Sequence, residues 1–421
     1  MNSRYVDYMY SYPHKTAYRS FSTPVSLIPY LEQLEGRKAS LYFHIPFCSH
    51  KCGYCNLFSL QTNRTEYITS YLETLHQQAQ QLAPLTTGLT FDSFAIGGGT
   101  PLLLTIPQLE QLCTTADLFG VHPSRAFTSV ETSPEYADWD RLNLLKQAEV
   151  ARVSIGIQSF VDEELKTLKR RPRQNAIYKA LEDIRQMDFP YFNIDLIYGI
   201  KGQTVESFLY SLEQALRFQP NELFIYPLYV RQGTGITERE SDDTCFRMYS
   251  AACDLLRASG FLQTSMRRFI HHPPTDEEVS CGDEVMLSCG SGGRSYLGHL
   301  HYATRYTVCQ QCIGREIDRY IATTDFTVAQ NGFILSNEKQ QQRFIIKNLM
   351  CYIGIDKAEY YRRFGETLDM IPSFRQLAER GWLEETADRI RLTSEGLGFS
   401  DYIGQLFISP KIRELMETYS Y

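Results

Sequence analysis

The chain has 421 residues, 43% hydrophobic and 22% charged, with a formal net charge of −7. That is enough apolar material for a sizeable core in one large or two ordinary domains, and the acidic balance, with no lysine/arginine run, argues against a nucleic-acid partner held by its phosphates. The start, MNSRYVDYMYSYPHKTAYRS, lacks an apolar signal core, and no stretch approaches the roughly 20 apolar residues of a spanning helix, so a cytoplasmic protein with no membrane partner is expected.

From about residue 40 to 230, short β-rich runs alternate with longer amphipathic ones. Strands are expected at SLYFHI (40–45), FDSFAI (91–96), AFTSVE (126–131), ARVSIGI (151–157), FNIDLIYG (192–199) and ELFIYPLY (222–229). Between them apolar residues recur three and four apart, as in TEYITSYLETLHQQAQQL (65–82), the spacing of a helix with one buried face. Six β-then-α units imply parallel strands with right-handed crossovers, and six falls short of the eight that close a full barrel. The expected fold class is therefore α/β, a partial (β/α)6 TIM-like barrel, with ligands at the carboxyl ends of its strands. Residues 243–260 read as a further helix, followed by the glycine-rich CGDEVMLSCGSGGRSY (281–296). From about 337, helical patterns and a short hairpin (LEETADRIRLT) indicate a mainly helical, winged-helix-like C-terminal module. The expected divisions are 1–35, an N-terminal segment packing near the active site; 36–300, the partial barrel with its extension; and 301–421, the C-terminal module.

Eleven cysteines, an odd count in a chain expected to be cytoplasmic, argue against a disulfide framework. Cys113, Cys245, Cys253 and Cys351 stand in apolar or helical surroundings and read as small core residues. FHIPFCSHKCGYCNLFS (43–59) is different, because Cys48, Cys52 and Cys55 fall within eight residues. A structural zinc site would need a fourth Cys or His, and a redox dithiol needs only two thiols. A [4Fe–4S] cube held by three thiolates keeps one iron open to a small molecule. His44 and His50 could supply a fourth ligand, but His44 alternates with apolar neighbours and is expected to pack or hydrogen-bond beneath the loop. AIGGGTP (95–101) ends the second strand, where glycines let the backbone approach a ligand without a Cβ in the way.

The CxxxCxxC spacing followed by GGGTP resembles the radical SAM superfamily. HIPFC, GGGTP, VETSPE, SIGIQSF and NIDLIYGI together resemble the oxygen-independent coproporphyrinogen III oxidases and their relatives, which include heme-chaperone paralogues and class C radical SAM methyltransferases. The resemblance covers nearly the whole chain, from YSYP (10–13) through GSGGRSY (290–296) to IRLTSEGLGFSD (390–401). It implies a barrel of the radical SAM type and a [4Fe–4S] cluster on Cys48, Cys52 and Cys55. S-adenosylmethionine (SAM) would chelate the open iron, and its reductive cleavage would give a 5′-deoxyadenosyl radical. It places Tyr54 near the adenine, and Tyr42, Gly98, Gly99 and Thr100 around the cluster-bound SAM. It places Glu131 at the SAM ribose or methionine region, and Gln158, Arg170 and Asp195 around a SAM. Pro227 and Arg294 align with contacts to a second SAM, so one or two SAM molecules are implied. Partners implied are a small-molecule substrate of tetrapyrrole type and a flavodoxin or ferredoxin reductant. The activity would be porphyrinogen decarboxylation or methyl transfer; the alternatives are a heme chaperone on the same scaffold and a zinc-stabilised α/β protein.

Taken singly, several of these residues have plainer roles. Glu131 could be a strand-end carboxylate, Asp195 a turn cap and Gln158 a loop-orienting amide, and Arg170 stands in KRRPR, a run that ordinarily forms a solvated face. The sequence also departs from the oxidases, with Leu57 where they commonly carry a fourth, non-ligating cysteine. Arg267 and Arg268 suit an anionic substrate or a charged surface. CQQC (309–312), with Cys281 and Cys289, could build an auxiliary cluster or zinc site; unpaired structural thiols are the default reading.

Overall fold

In the computed structural model, which describes residues 4–6, 9, 11–121, 126–171, 173–271, 285–368 and 371–420, the six expected strands all form. After a first strand, β1 (Arg19–Ser26), come β2 (Lys38–Ile45), β3 (Thr90–Gly98), β4 (Phe127–Thr132), β5 (Arg152–Gln158), β6 (Tyr191–Tyr198) and β7 (Glu222–Pro227). From β2 to β7 they lie side by side in chain order, every neighbour parallel. β2 is buried at six of its eight positions, as expected for a parallel strand covered on both faces.

A helix follows each strand: α1 (Thr65–Leu82), α2 (Ile106–Asp117), α3 (Trp139–Gln147), α4 (Gln174–Met187), α5 (Val205–Leu216) and α6 (Asp242–Ala258). In α1 the buried Ile68, Tyr71, Leu72, Leu75, Ala79 and Leu82 recur at helical spacing and form one apolar stripe. Helix starts are fixed by side chains. Asp138 accepts from the Arg141 N–H at 3.1 Å ahead of α3, and Thr204 and Ser207 form a reciprocal capping box on α5.

The sheet extends beyond the six units. β8 (Leu262–Gln263) and β9 (Arg268–Ile270) continue it antiparallel past β7. On the other side β10 (Val285–Cys289) adds a seventh parallel strand beside β2, where the sequence reading expected only a glycine-rich segment. β11 (Arg294–Leu297), β12 (Leu300–Ala303) and β13 (Val328–Ile334) follow antiparallel, and β1 closes that edge on β13. The result is one open sheet of thirteen strands.

Two of these strands lie beyond residue 300, where the C-terminal module was expected to begin. The module's own core gathers later, around Phe344, Ile345, Ile346, Leu349, Tyr360, Leu377, Trp382 and Ile403, and it takes in Met9, Tyr12 and Ala17 from the N-terminal segment. After α7 (Gln310–Ile321) it comprises α8 (Asn337–Leu349), α9 (Lys357–Phe364), α10 (Pro372–Glu379), a three-stranded sheet of Ile355–Asp356, Leu383–Glu385 and Arg389–Leu392, and the last helix Pro410–Glu417. Helices with a small sheet match the winged-helix-like expectation. Among the described residues no helix is long and apolar enough to cross a membrane.

Candidate functional site

The carboxyl ends of β2 and β3 create the centre of the site. Beyond β2 the chain turns through Phe47 and Cys48 into the thiol loop, which is anchored by backbone bonds: Gly53 N–H to Leu168 O (2.9 Å), Gly235 N–H to Gly53 O (2.7 Å) and Thr62 N–H to Cys48 O (3.0 Å). The glycines after β3 pack against this loop. The Gly99 N–H donates to Ile45 O and the Thr100 N–H to Phe47 O, both at 2.8 Å. A Cβ on Gly99 would come within 2.4 Å of Phe47 O and 2.9 Å of Cys48 Sγ. Gly98 has φ +120°, a backbone that only glycine adopts without strain. These residues are glycine because loop and turn touch.

All fourteen residues implicated by the sequence border one cavity of about 930 Å³: Tyr42, Cys48, Cys52, Tyr54, Cys55, Gly98, Gly99, Thr100, Glu131, Gln158, Arg170, Asp195, Pro227 and Arg294. The three thiols are free. Thr100 Oγ1 donates to Cys48 Sγ at 3.6 Å, and burial pushes the Cys48 thiol up to about 11 and raises Cys52 as well. Neither histidine is spare. His44 Nε2 donates to Phe58 O (2.9 Å) and its Nδ1 accepts from Tyr42 Oη (3.1 Å), so it braces the loop from below as expected, and burial lowers it to about 4. His50 Nε2 donates to Lys169 O at 2.8 Å.

Around the thiols the polar residues are tied to one another. Glu131 accepts the Gly98 N–H at 3.1 Å; surrounding protein raises its carboxyl although it opens onto the cavity. Arg170 donates to Gly156 O (2.6 Å) and to Tyr54 Oη (3.2 Å), so it is built into the wall and not onto a solvated face. Tyr54 packs on a small apolar cluster of Leu168, Ile197, Ile200, Leu228 and Ile236. Gln158 sits at the end of β5 with φ +75°. Asp195 lies within β6 and caps no turn. It accepts from Asn193 Nδ2 at 2.7 Å, and burial, outweighing that bond and Arg152, pushes it up to about 7. Arg294 Nη1 donates to Ser11 Oγ at 2.7 Å, bringing the N-terminal segment to the cavity, where Met9, His14 and Lys15 also border it. Tyr10, the first residue of YSYP, lies outside the described residues.

Two open alternatives of the sequence reading are narrowed. Arg267 and Arg268 are not solvated surface charges: both border the cavity, and each is engaged by a buried carboxylate. Arg268 and Arg152 both bind Glu222, the latter at 2.6 Å, and together they hold its carboxyl below the ordinary range although burial alone would raise it. Arg267 pairs with Asp401 of the C-terminal module at 2.5 Å, and Tyr229 bonds both. The sequence reading missed Arg152, Glu222, Tyr229 and Asp401; the available signal was a charged residue at the head of two strands otherwise apolar. The auxiliary metal group does not assemble among the described residues. Cys289 is fully buried, Cys309 is exposed, and Cys281 lies outside the described residues.

A strand-borne thiol triad beside a glycine turn on an open parallel barrel defines a radical SAM protein, and the Radical SAM superfamily model matches residues 42–215. Within that class the chain carries the HemN C-terminal domain at residues 335–399, and its relatives are both oxygen-independent coproporphyrinogen III oxidases and heme chaperones. It is 27% identical over 386 residues to the heme chaperone HemW of Bacillus subtilis, covering 87% of this chain and 100% of that protein. It is 26% identical over 426 residues to the oxygen-independent coproporphyrinogen III oxidase of Escherichia coli, covering 92% and 91%. The solved structure of Escherichia coli coproporphyrinogen III oxidase (HemN) superposes with a TM-score of 0.81 at 22% identity, over 94% of this chain and 96% of that one, a shared fold. The cofactors are accordingly a [4Fe–4S] cluster and SAM. The residues present fit them. Among the described residues no three Cys, His, Asp or Glu groups converge on a point for a single ion, whereas a cube offers separate irons, each wanting one thiolate.

Two expectations follow from the geometry. Overpacking at Gly99 costs about 1–3 kcal/mol, so Gly99→Ala should weaken SAM binding to the reconstituted protein roughly tenfold, measured by equilibrium dialysis. Gly314→Ala, on α7 where a Cβ meets nothing within 4 Å, should leave it unchanged. Asp195 gives a pH dependence. Unfolded it releases its proton near its ordinary 3.8, folded only near 7, so stability falls as pH rises between those values. Asp195→Asn removes that slope. With allowance for solvent in the cavity, its advantage over wild type should grow by about 2 kcal/mol from pH 5 to pH 7.5 in urea unfolding of the cluster-free protein. Parallel pH curves would refute the assignment.

Proposed function

We propose that the chain is a radical enzyme acting on a tetrapyrrole, with Cys48, Cys52 and Cys55 each ligating one iron and SAM completing the fourth. The observation that carries this reading is the opening of three free thiols, the GGGTP turn and Glu131, Gln158, Arg170 and Asp195 onto one cavity. Held by these residues, a [4Fe–4S] cluster and SAM would supply radical chemistry directed at a carbon–hydrogen bond of the substrate.

The chain's own work is placement. Tyr54, fixed by Arg170 over apolar side chains, offers a flat face to the adenine. Glu131 accepts ribose hydroxyls, a task that suits a carboxylate with two oxygens. Gly98 and Gly99 let the backbone approach the methionine end, while residues of the C-terminal module and the N-terminal segment border the cavity. At about 930 Å³ the cavity is near the top of the small-molecule range of about 300–1,000 Å³, which leaves room beside one SAM. Pro227 and Arg294 border that further room, where a second SAM or the substrate would lie. With a porphyrinogen the outcome is oxidative decarboxylation of propionates to vinyls; with a second SAM it is methyl transfer. A flavodoxin or ferredoxin in the cytoplasm would supply the electron.

The similarity to a heme chaperone over its full length supports a second reading, a heme carrier without turnover. The discriminating experiment incubates reconstituted, reduced protein with SAM and either coproporphyrinogen III or heme under anaerobic conditions. Conversion of the tetrapyrrole with 5′-deoxyadenosine release is expected. Stoichiometric heme uptake without conversion selects the carrier, and failure of even slow, substrate-free SAM cleavage would overturn the radical reading.

A further inference from the structure

The thiols outside the triad divide by burial. Cys245 and Cys253 lie in the core, where burial pushes both up to about 11, and Cys289 is raised further. Such thiols are poor nucleophiles at neutral pH. Cys309 and Cys312 differ. Both are free, Cys309 exposed and Cys312 half-buried, at the start of the twelve-residue α7, with Cys309 as its N-cap and Cys312 its third residue. Three residues apart on a helix they share one face, and backbone N–H groups at a helix start favour a thiolate. The N–H and thiol of Cys312, with Arg315 adding its charge, hold the Cys309 thiol below its ordinary value, and Arg315 Nη2 donates to Cys312 Sγ at 3.4 Å.

The strap that leads into this helix is pinned to the thiol loop of the cavity. Lys51 Nζ donates to Val308 O (3.2 Å), Gln310 Nε2 donates to Ser59 O (2.9 Å), and the Gln61 N–H donates to Gln310 Oε1 (2.8 Å). Neither Cys309 nor Cys312 borders the cavity itself.

We propose that Cys309 and Cys312 form a thiol–disulfide exchange site on the strap that braces the thiol loop, with a disulfide-bearing molecule as co-substrate. The Cys309 thiolate attacks one sulfur of the incoming disulfide; a bond forms to it, the old S–S bond breaks, and the other half leaves as a thiolate. Cys312 then loses its proton, and its sulfur displaces the bound half from Cys309, closing an internal disulfide. Two electrons pass from the dithiol to the incoming disulfide, and the two protons given up by the cysteines go to the two released thiols.

The test uses full-length, cluster-loaded protein at pH 7 without oxygen, glutathione disulfide as probe, and peptide mass spectrometry as readout. Wild type should form the Cys309–Cys312 disulfide with no lasting adduct. Cys312→Ser should accumulate one glutathione on Cys309, and Cys309→Ser should form neither product. In the reduced protein iodoacetamide should alkylate Cys309 about tenfold faster than Cys113, whose thiol burial raises. Absence of the internal disulfide at every glutathione ratio, or an adduct in Cys312→Ser spread evenly over Cys113 and Cys309, would overturn the proposal. Thiol chemistry is read directly, so loss of 5′-deoxyadenosine formation would bear on the proposed enzyme activity and leave this site standing.

Discussion

Alanine at any one of Cys48, Cys52 or Cys55 is expected to cut SAM cleavage by more than about 100-fold, since even residues that only orient metal ligands cost 10–100-fold. The loss should show first as iron. Reconstituted wild type should hold about four irons per chain, each variant far fewer, and the brown colour should go with them. Neither nearby histidine is placed to substitute, because His44 is committed to Phe58 and Tyr42, and His50 to the Lys169 carbonyl. Cys113→Ala, in α2 and away from the cavity, should keep iron and activity at wild-type levels. Equal iron in all four variants would place the cluster elsewhere.

Asp401→Ala is expected to destabilise the protein by about 3–5 kcal/mol, the usual cost of stranding one member of a buried ion pair. Arg267 and Asp401 are 5% and 0% exposed, and Tyr229 bridges them, so the guanidinium left behind loses its carboxylate partner in a largely buried place. The pair joins the strand end beyond β7 to the C-terminal module, and both residues border the cavity. Unfolding can be followed from inside the module, because Trp382 stacks on Phe399 with ring centroids 4.2 Å apart. The urea midpoint of Trp382 fluorescence should fall in Asp401→Ala. The double variant Arg267→Ala/Asp401→Ala should lose less than the sum of the single losses, since no charge is then left unpaired. Additive losses would mean that the pair is not coupled.

The parallel strands were legible because both their faces are covered, so SLYFHI or FNIDLIYG reads as an apolar run whatever lies beyond it. The thiol triad and GGGTP were legible because their spacing carries the chemistry. What stayed hidden depends on partners far along the chain. β1 alternates weakly, with exposed positions at Ser20, Ser22 to Pro24 and Ser26, and becomes a strand through β13, about 300 residues later. VMLSC was obscured by the glycines after it, although it is buried throughout and lies against β2. Arg152, Glu222 and Arg268 read separately as charges in strands; their meeting requires β5, β7 and β9 to be brought together across one sheet. Arg170 looked like part of a basic run, and only its bonds to Gly156 and Tyr54 show that one of those charges turns inward.

The account rests on three sulfurs that leave a single iron for SAM. Electron paramagnetic resonance of the anaerobically reconstituted, dithionite-reduced protein, recorded with and without SAM, tests that most directly. The expected result is a reduced-cluster signal whose shape and g-values change when SAM is added, in wild type and not in Cys52→Ala. A reduced protein with no such signal, or one whose signal is indifferent to SAM, would contradict it.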